Sequence, residues 1–372
     1  MEQPNVKPDI MSTIANLNED FQSYLIIGFT LIVLICFISY IIYLKNLNNS
    51  ECNYMNTLYS SMDGNITSIT SDFSYNLCDY YIKTAYNACS GGSYKNDWVN
   101  ICNLKAIIKQ GVRCLDFEIY SIQDQPVVAT SIVKDFYVKE TYNSVLFSDV
   151  MSTIYNYAFS SGSCPNYSDP LIIHLRIRSN NQTMYTNISN IFQLYDDVML
   201  SSEYSYENYN QNLGKLPLYS FQNKIIIIVD RINNAFLENQ DFLEYVNLTS
   251  NSAFMRAYNY TDIKNNPDAQ ELTVYNQQNM TIVLPDVQNN PNNPSGPLCR
   301  AYGCQMIAMR YQYVDNFLED NAILFDEGGY AFVLKPLNLR FQAVTIPDPV
   351  PQNPDYSYQT RSSATDYYSF SY

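Results

Sequence analysis

Apolar positions along this chain fall into two regimes. Between Tyr24 and Leu44 they are continuous: YLIIGFTLIVLICFISYIIYL carries no charge and presents no polar face. At about 1.5 Å per residue, a helix of that length reaches roughly 30 Å, the thickness of a bilayer's hydrocarbon core. A secretory signal peptide would show a shorter apolar run of about 7–15 residues behind a basic flank. Here the preceding stretch holds Glu2, Asp9, Glu19 and Asp20 against Lys7 alone. The pattern predicts a single transmembrane helix over 24–44, preceded by an acidic tail over 1–23. Lys7 and Lys45 nearly balance across the span, so charge does not set its orientation.

After the span, residues 45–77 are polar and lack periodic apolar positions, which predicts a stalk. Over 78–345 the second regime begins, with short apolar runs recurring: YYIKTAYN, VRCLDFEIY, PVVAT, LIIHLRI, KIIIIV, AFMRAY, MTIVL and CQMIAM. Segments with helical spacing lie between several of them; over 149–159, Val150, Ile154 and Ala158 share one face. Continuous apolar strands alternating with helices predict an α/β fold whose parallel sheet is covered on both sides. Eight such runs fit a TIM-type (β/α)8 barrel, in which sites form at the carboxyl ends of the strands. The stretch NNPNNPSGP at 289–297 is a loop, because Pro and Gly exclude both helix and ladder. The tail over 346–372 is rich in Pro, then in Tyr and Ser, without apolar period, and is expected to be solvated or draped on the surface.

Charge narrows the partners. The net charge is −15 and the pI about 4.4, so phosphate-rich nucleic acids and anionic lipid surfaces are electrostatically disfavoured. Cys36 lies inside the span and the remaining cysteines outside it, in an even number that admits disulfides without fixing their connectivity. With one His in the chain and no CxxC pair, a zinc site is not expected.

Six of the segments, in order, resemble the catalytic region of eukaryotic phosphoinositide-specific phospholipase C over roughly residues 85–341. GCQMIAMRYQ at 303–312 and LFDEGGYAFVLKPLNLRF at 324–341 are similar to that family's closing GCQMVALN and GGYVLKP blocks. VYNQQNMTIVLP at 274–285 is similar to its strand running into YP. In the first half, IKQGVRCLDFEIY at 108–120 resembles the GCRCVELDCW strand, and FSDVMSTIYNYAF with DPLIIHLRI resembles the helix and strand that follow. LPLYSFQNKIIII at 216–228 is similar to the LKGKILIK strand.

The resemblance implies chemistry that this chain departs from. The family's reaction needs two imidazoles, one to take a proton from an inositol hydroxyl and one to protonate the leaving glycerol oxygen. Its SHN turn corresponds to AYN, placing Tyr86 at the first histidine position, and its second histidine corresponds to Ala129 in PVVAT. A phenol with an ordinary pKa near 10 is a poor base and a methyl transfers no proton. Of the calcium ligands the resemblance implies, Asn87, Asp116 and Glu118 keep oxygens, and the fourth position is Arg176. A guanidinium repels a cation. Arg176 either pairs with Asp116 or Glu118 or turns away and leaves them solvated. Calcium is not expected, nor any other cofactor. Ile228 and Asp230 stand where the family tends to place phosphate-gripping Lys, and the arginine after YP corresponds loosely to Asn289. The lone His174 shares the inward face of Arg176 but lies about 6–7 Å deeper, which predicts a packed neutral side chain rather than a base.

These features predict a membrane-anchored, catalytically inactive phospholipase-C-like protein, a pseudoenzyme with a structural or binding role and an unidentified protein partner. The Asn- and Tyr-rich bias and the single span suit a large DNA virus particle or host-cell membrane. The alternatives are an active phosphodiesterase on phosphoinositides or glycerophosphodiesters with altered chemistry, and a headgroup- or sugar-binding module without turnover.

Overall fold

The computed structural model describes residues 10–133, 138–343, 347–351, 353, 356 and 359–372, with side chains from residue 21 onward. Helix α1 (Ile10–Leu58) contains the apolar run, and its stretch Phe21–Leu58 is long and apolar enough to cross a membrane by length and composition. The helix begins inside the expected acidic tail, of which residues 1–9 lie outside the described residues.

The strands are β1 (Tyr80–Ala85), β2 (Cys114–Ile122), β3 (Gln125–Val128), β4 (Val145–Leu146), β5 (Leu171–Ile177), β6 (Ile225–Asp230), β7 (Leu248–Ser250), β8 (Met255–Asn259), β9 (Met280–Leu284), β10 (Met306–Met309) and β11 (Phe332–Leu334). Eight of them form a nearly closed parallel barrel in the order β7-β6-β5-β2-β1-β10-β9-β8. Seven of the eight apolar runs supply staves. The eighth, PVVAT, instead folds back antiparallel on β2 as β3, and the missing stave is the short, polar β7.

Alternation along each strand builds two cores. Ile82, Cys114, Ile172, Ile226, Ile228, Ile282 and Met306 fill the barrel interior. Leu115, Phe117, Ile173, Leu175, Ile227 and Val229 face outward under α2 (Ile101–Lys109), α3 (Phe147–Ala158) and α4 (Gln182–Gln193). Val150, Ile154 and Ala158 pack there together, as their shared face requires.

The stalk expected over 45–77 is a docked strap. α1 continues to Leu58, Met55 is fully buried, and Cys52 is disulfide-bonded to Cys102 with Cα atoms 5.8 Å apart. Further on, Ile66 and Ile69 are buried, Lys83 Nζ pairs with Asp63 at 3.1 Å, and the Ile69 N–H donates to Asp169 Oδ1 at 2.7 Å. These anchors are single residues held by a covalent bond, charge and backbone hydrogen bonds, so they leave no periodic signature. The tail carries a hairpin, β12 (Ser362–Ala364) with β13 (Ser369–Ser371), whose side chains are mostly exposed; 344–346 and five tail positions lie outside the described residues.

Candidate functional site

The register of β2 against β5 generates the site. Asp116 lies opposite His174 and Glu118 opposite Arg176, so four inward-facing side chains meet near the carboxyl ends of adjacent staves. Asn87 joins them from the turn after β1, where φ of +43° is a left-handed conformation that Asn tolerates better than most residues. Its backbone N–H donates to Asp116 Oδ2 at 3.1 Å.

Arg176 occupies the centre. Its Nε donates to Asp116 Oδ1 at 2.9 Å and its Nη2 to Asp116 Oδ2 at 2.7 Å, a bidentate fork. Nη2 also donates to Asn87 Oδ1 at 2.8 Å, and Nη1 to Glu118 Oε1. The guanidinium lies 4.8 Å from the Tyr86 ring centroid. Of the two arrangements the sequence left open, the paired one is found. Four oxygens that the resemblance assigns to a metal therefore accept hydrogen bonds from one cation. Among the described residues no group of three or more His, Cys, Asp or Glu is arranged to hold a metal ion.

The electrostatics follow from burial. Burial alone would raise the Asp116 pKa; the Arg176 guanidinium, aided by hydrogen bonds from His174 and Arg176, outweighs it and holds the carboxyl well below the usual range. Burial likewise disfavours the Arg176 cation, and its neighbours, Asp116 foremost, drive its pKa above the ordinary arginine value. Tyr86 is pushed up to about 12 by burial, a rise that Arg176 only partly offsets. Its ring stands edge-on to Tyr94, 5.2 Å away, and Tyr94 is in turn hydrogen-bonded by Arg310 at 2.9 Å. Tyr86 is thus a wedged, protonated phenol.

His174 is fully buried, with Nδ1 2.7 Å from Asp116 Oδ1 and Nε2 3.0 Å from Ser250 Oγ. This order of Ser, His and Asp has the spacing of a nucleophile relay. Ser250 is also fully buried, however, and its hydroxyl donates to Asp230 Oδ1 at 3.3 Å. Neither residue lines the cavity above. That cavity, of about 320 Å³, is bordered by Tyr86, Glu118, Arg176, Arg178, Asp230 and Ser131, among others.

Ala129 is buried in a small cluster with Tyr120 and Val127 and does not line the cavity, whereas Ser131 does. The Ser131 N–H and the Tyr120 hydroxyl both donate to Glu118 Oε2 at 3.1 Å. Arg178 stands 3.5 Å from Glu118 Oε1, so two carboxylates face two guanidinium groups. Ile228 is buried in the barrel interior, and Asp230 caps β6 while accepting from Asn251 Nδ2 at 2.7 Å. Asn289 is drawn into the loop after β1, where its Oδ1 accepts from Lys95 N at 2.9 Å. Sequence reasoning missed Arg178, Ser250 and Asn251. The first continues the period of two from His174 and Arg176; the others follow from β7, too short and polar to stand out.

Residues 73–231 match the family model described as phosphatidylinositol-specific phospholipase C, X domain. Among solved structures, PLC21 of S. officinalis is similar, with a TM-score of 0.57 and 16% identity over 72% of this chain and 38% of that one. PLC21 of L. pealei is similar too, with a TM-score of 0.56 and 16% identity over the same shares. The chain thus spans 38% of the length of these proteins. No curated protein matches it. The fold is accordingly a phospholipase-C-like barrel, and residues 73–231 are the part similar to the phosphatidylinositol-specific phospholipase C X domain.

Proposed function

We propose that this chain is a membrane-anchored, catalytically silent phospholipase-C-like protein that acts through binding or scaffolding. The observation that carries the proposal is Arg176, whose guanidinium holds Asp116, Glu118 and Asn87 at once. This donor set suits a guanidinium and not a divalent cation, which needs six to eight free oxygens in calcium's case. Proton transfer lacks its agents as well. Tyr86 stays protonated at neutral pH, and His174 is enclosed between Asp116 and Ser250. The anchoring rests on the apolar stretch of α1. A place in a virus particle belongs to the same proposal on composition alone, and proteomics of purified particles tests it.

The decisive assay presents the full chain in detergent or nanodiscs with phosphatidylinositol and with glycerophosphodiesters, with and without calcium. No turnover is expected under either condition. The second reading, an active phosphodiesterase with altered chemistry, draws on the His174–Ser250 contact. Turnover that disappears on His174→Ala would establish it and overturn the first.

A further inference from the structure

The loops at the barrel mouth are tied to the end of the apolar helix. Between Phe29 and Leu58 the sequence of α1 has neither Gly nor Pro, so the helix passes without a hinge from its apolar run to the barrel. Cys52 lies about 12 Å along the axis beyond Leu44, and it is bonded to Cys102 in the first turn of α2, which follows the mouth loop from β1. Asn48 Oδ1 accepts from Asn100 Nδ2 at 3.0 Å on the same loop. Glu51 and Asp97 close over Gly92, where an added Cβ would lie 2.5 Å from one carboxylate and 2.4 Å from the other.

The contact reaches the apolar run itself. Tyr142, in the loop after β3, lies beside Tyr40 of the apolar run, with Tyr43 nearby. Its backbone N–H donates to Asp97 O at 2.9 Å, which joins the two mouth loops. The Trp98 and Tyr142 rings pair with centroids 5.6 Å apart, and Val138 on the same loop is 45% exposed. Tyr and Trp favour the boundary between hydrocarbon and water, where one end of the ring is apolar and the other wet.

We infer that the mouth end of the barrel rests on the surface of the bilayer that α1 crosses, with Trp98 and Tyr142 at headgroup level beside Tyr40. The partner is the lipid surface itself, engaged by aromatic side chains rather than by charge, as an acidic chain requires. The Arg176 cavity opens at this end, so a ligand reaches it along the membrane face. This docking rests on the anchoring proposed above.

Trp98 is the only tryptophan in the chain, so its emission reports this one position. The full chain is reconstituted in phosphatidylcholine vesicles that carry a nitroxide either at the headgroup or at the acyl-chain end, and floated on a density gradient. The expected result is flotation with the vesicles and loss of Trp98 emission, strongest for the headgroup nitroxide. A Trp98→Phe, Leu194→Trp chain moves the probe to an exposed position at the far end of α4, where only aqueous iodide should quench. Flotation with Trp98 quenched by iodide alone, or equal lipid quenching at both positions, overturns the docking while leaving the anchoring intact. Failure to float overturns the anchoring and the docking together.

Discussion

Arg176 puts a single side chain in charge of four buried oxygens, and the consequences of removing it are asymmetric. Arg176→Ala leaves the buried Asp116 and Glu118 without their central partner. Losing one partner of a buried ion pair costs about 3–5 kcal/mol, so a large fall in Tm by circular dichroism is expected. Arg176→Glu restores an acid at the position where the resemblance implies a metal ligand. That variant should be as unstable as Arg176→Ala without calcium and regain Tm when calcium is added, whereas the wild type should ignore the ion. A wild-type Tm that rises with calcium would show that Arg176 does not exclude it. The pH dependence follows from Asp116, whose folded pKa is lowered. Its stabilising contribution is complete above the ordinary aspartate pKa of about 4 and is lost as pH falls below it. The margin of wild type over Asp116→Asn in thermal melts should therefore hold from pH 7 down to about 4 and shrink below that.

At the level of elements, the seam between α1 and α2 depends on one covalent link. The disulfide closes a loop with a sequence separation of 50, for which chain entropy allows a stabilisation of about 4 kcal/mol at most. Cys102→Ser should lower Tm, reductant should lower the wild type to the same value, and reductant should leave the variant unchanged. Gly92→Ala attacks the same seam without touching the sulfurs, because its methyl would collide with the Asp97 and Glu51 carboxylates. It too should lower Tm, in reduced and oxidised protein alike. Strands with apolar runs were legible because burial on both faces writes a continuous apolar string. β7 was not, since Thr249 and Ser250 are buried through hydrogen bonds rather than hydrophobicity. PVVAT has the composition of a stave, and only its antiparallel pairing with β2 removes it from the barrel wall. The strap after α1 was hidden for a related reason: its anchors, Met55, Ile66 and Ile69, are isolated in sequence.

For the molecule as a whole, the barrel keeps the geometry of its fold, while Tyr86 and Ala129 stand where the resemblance implies the two histidines. Sequence made half of that legible. Asp116, Glu118 and Arg176 were readable because a period of two puts them on one face of neighbouring strands. The bidentate fork, the Tyr86 stack and the His174 contact depend on the register of β2 against β5, which no single strand encodes. The resulting site is nearly charge-balanced, with Asp116 and Glu118 facing Arg176 and Arg178. A phosphorylated headgroup entering it would have to break the Arg178 contact with Glu118 and meet Asp230 at the rim. A neutral, hydroxyl-rich ligand would meet no such opposition, because Asn251 and Ser131 offer uncharged donors and acceptors and Asp230 accepts from a hydroxyl without repelling it. Titration calorimetry of the full chain in nanodiscs should therefore show weaker binding for inositol phosphates than for the corresponding neutral polyol. Asp230→Asn should narrow that gap by removing the repelling charge, while Arg178→Ala should widen it by leaving Glu118 less screened. Tighter binding of the phosphorylated ligand by wild type would mean that the mouth opens its ion pairs to admit an anion, and the balance seen here would then be a resting arrangement.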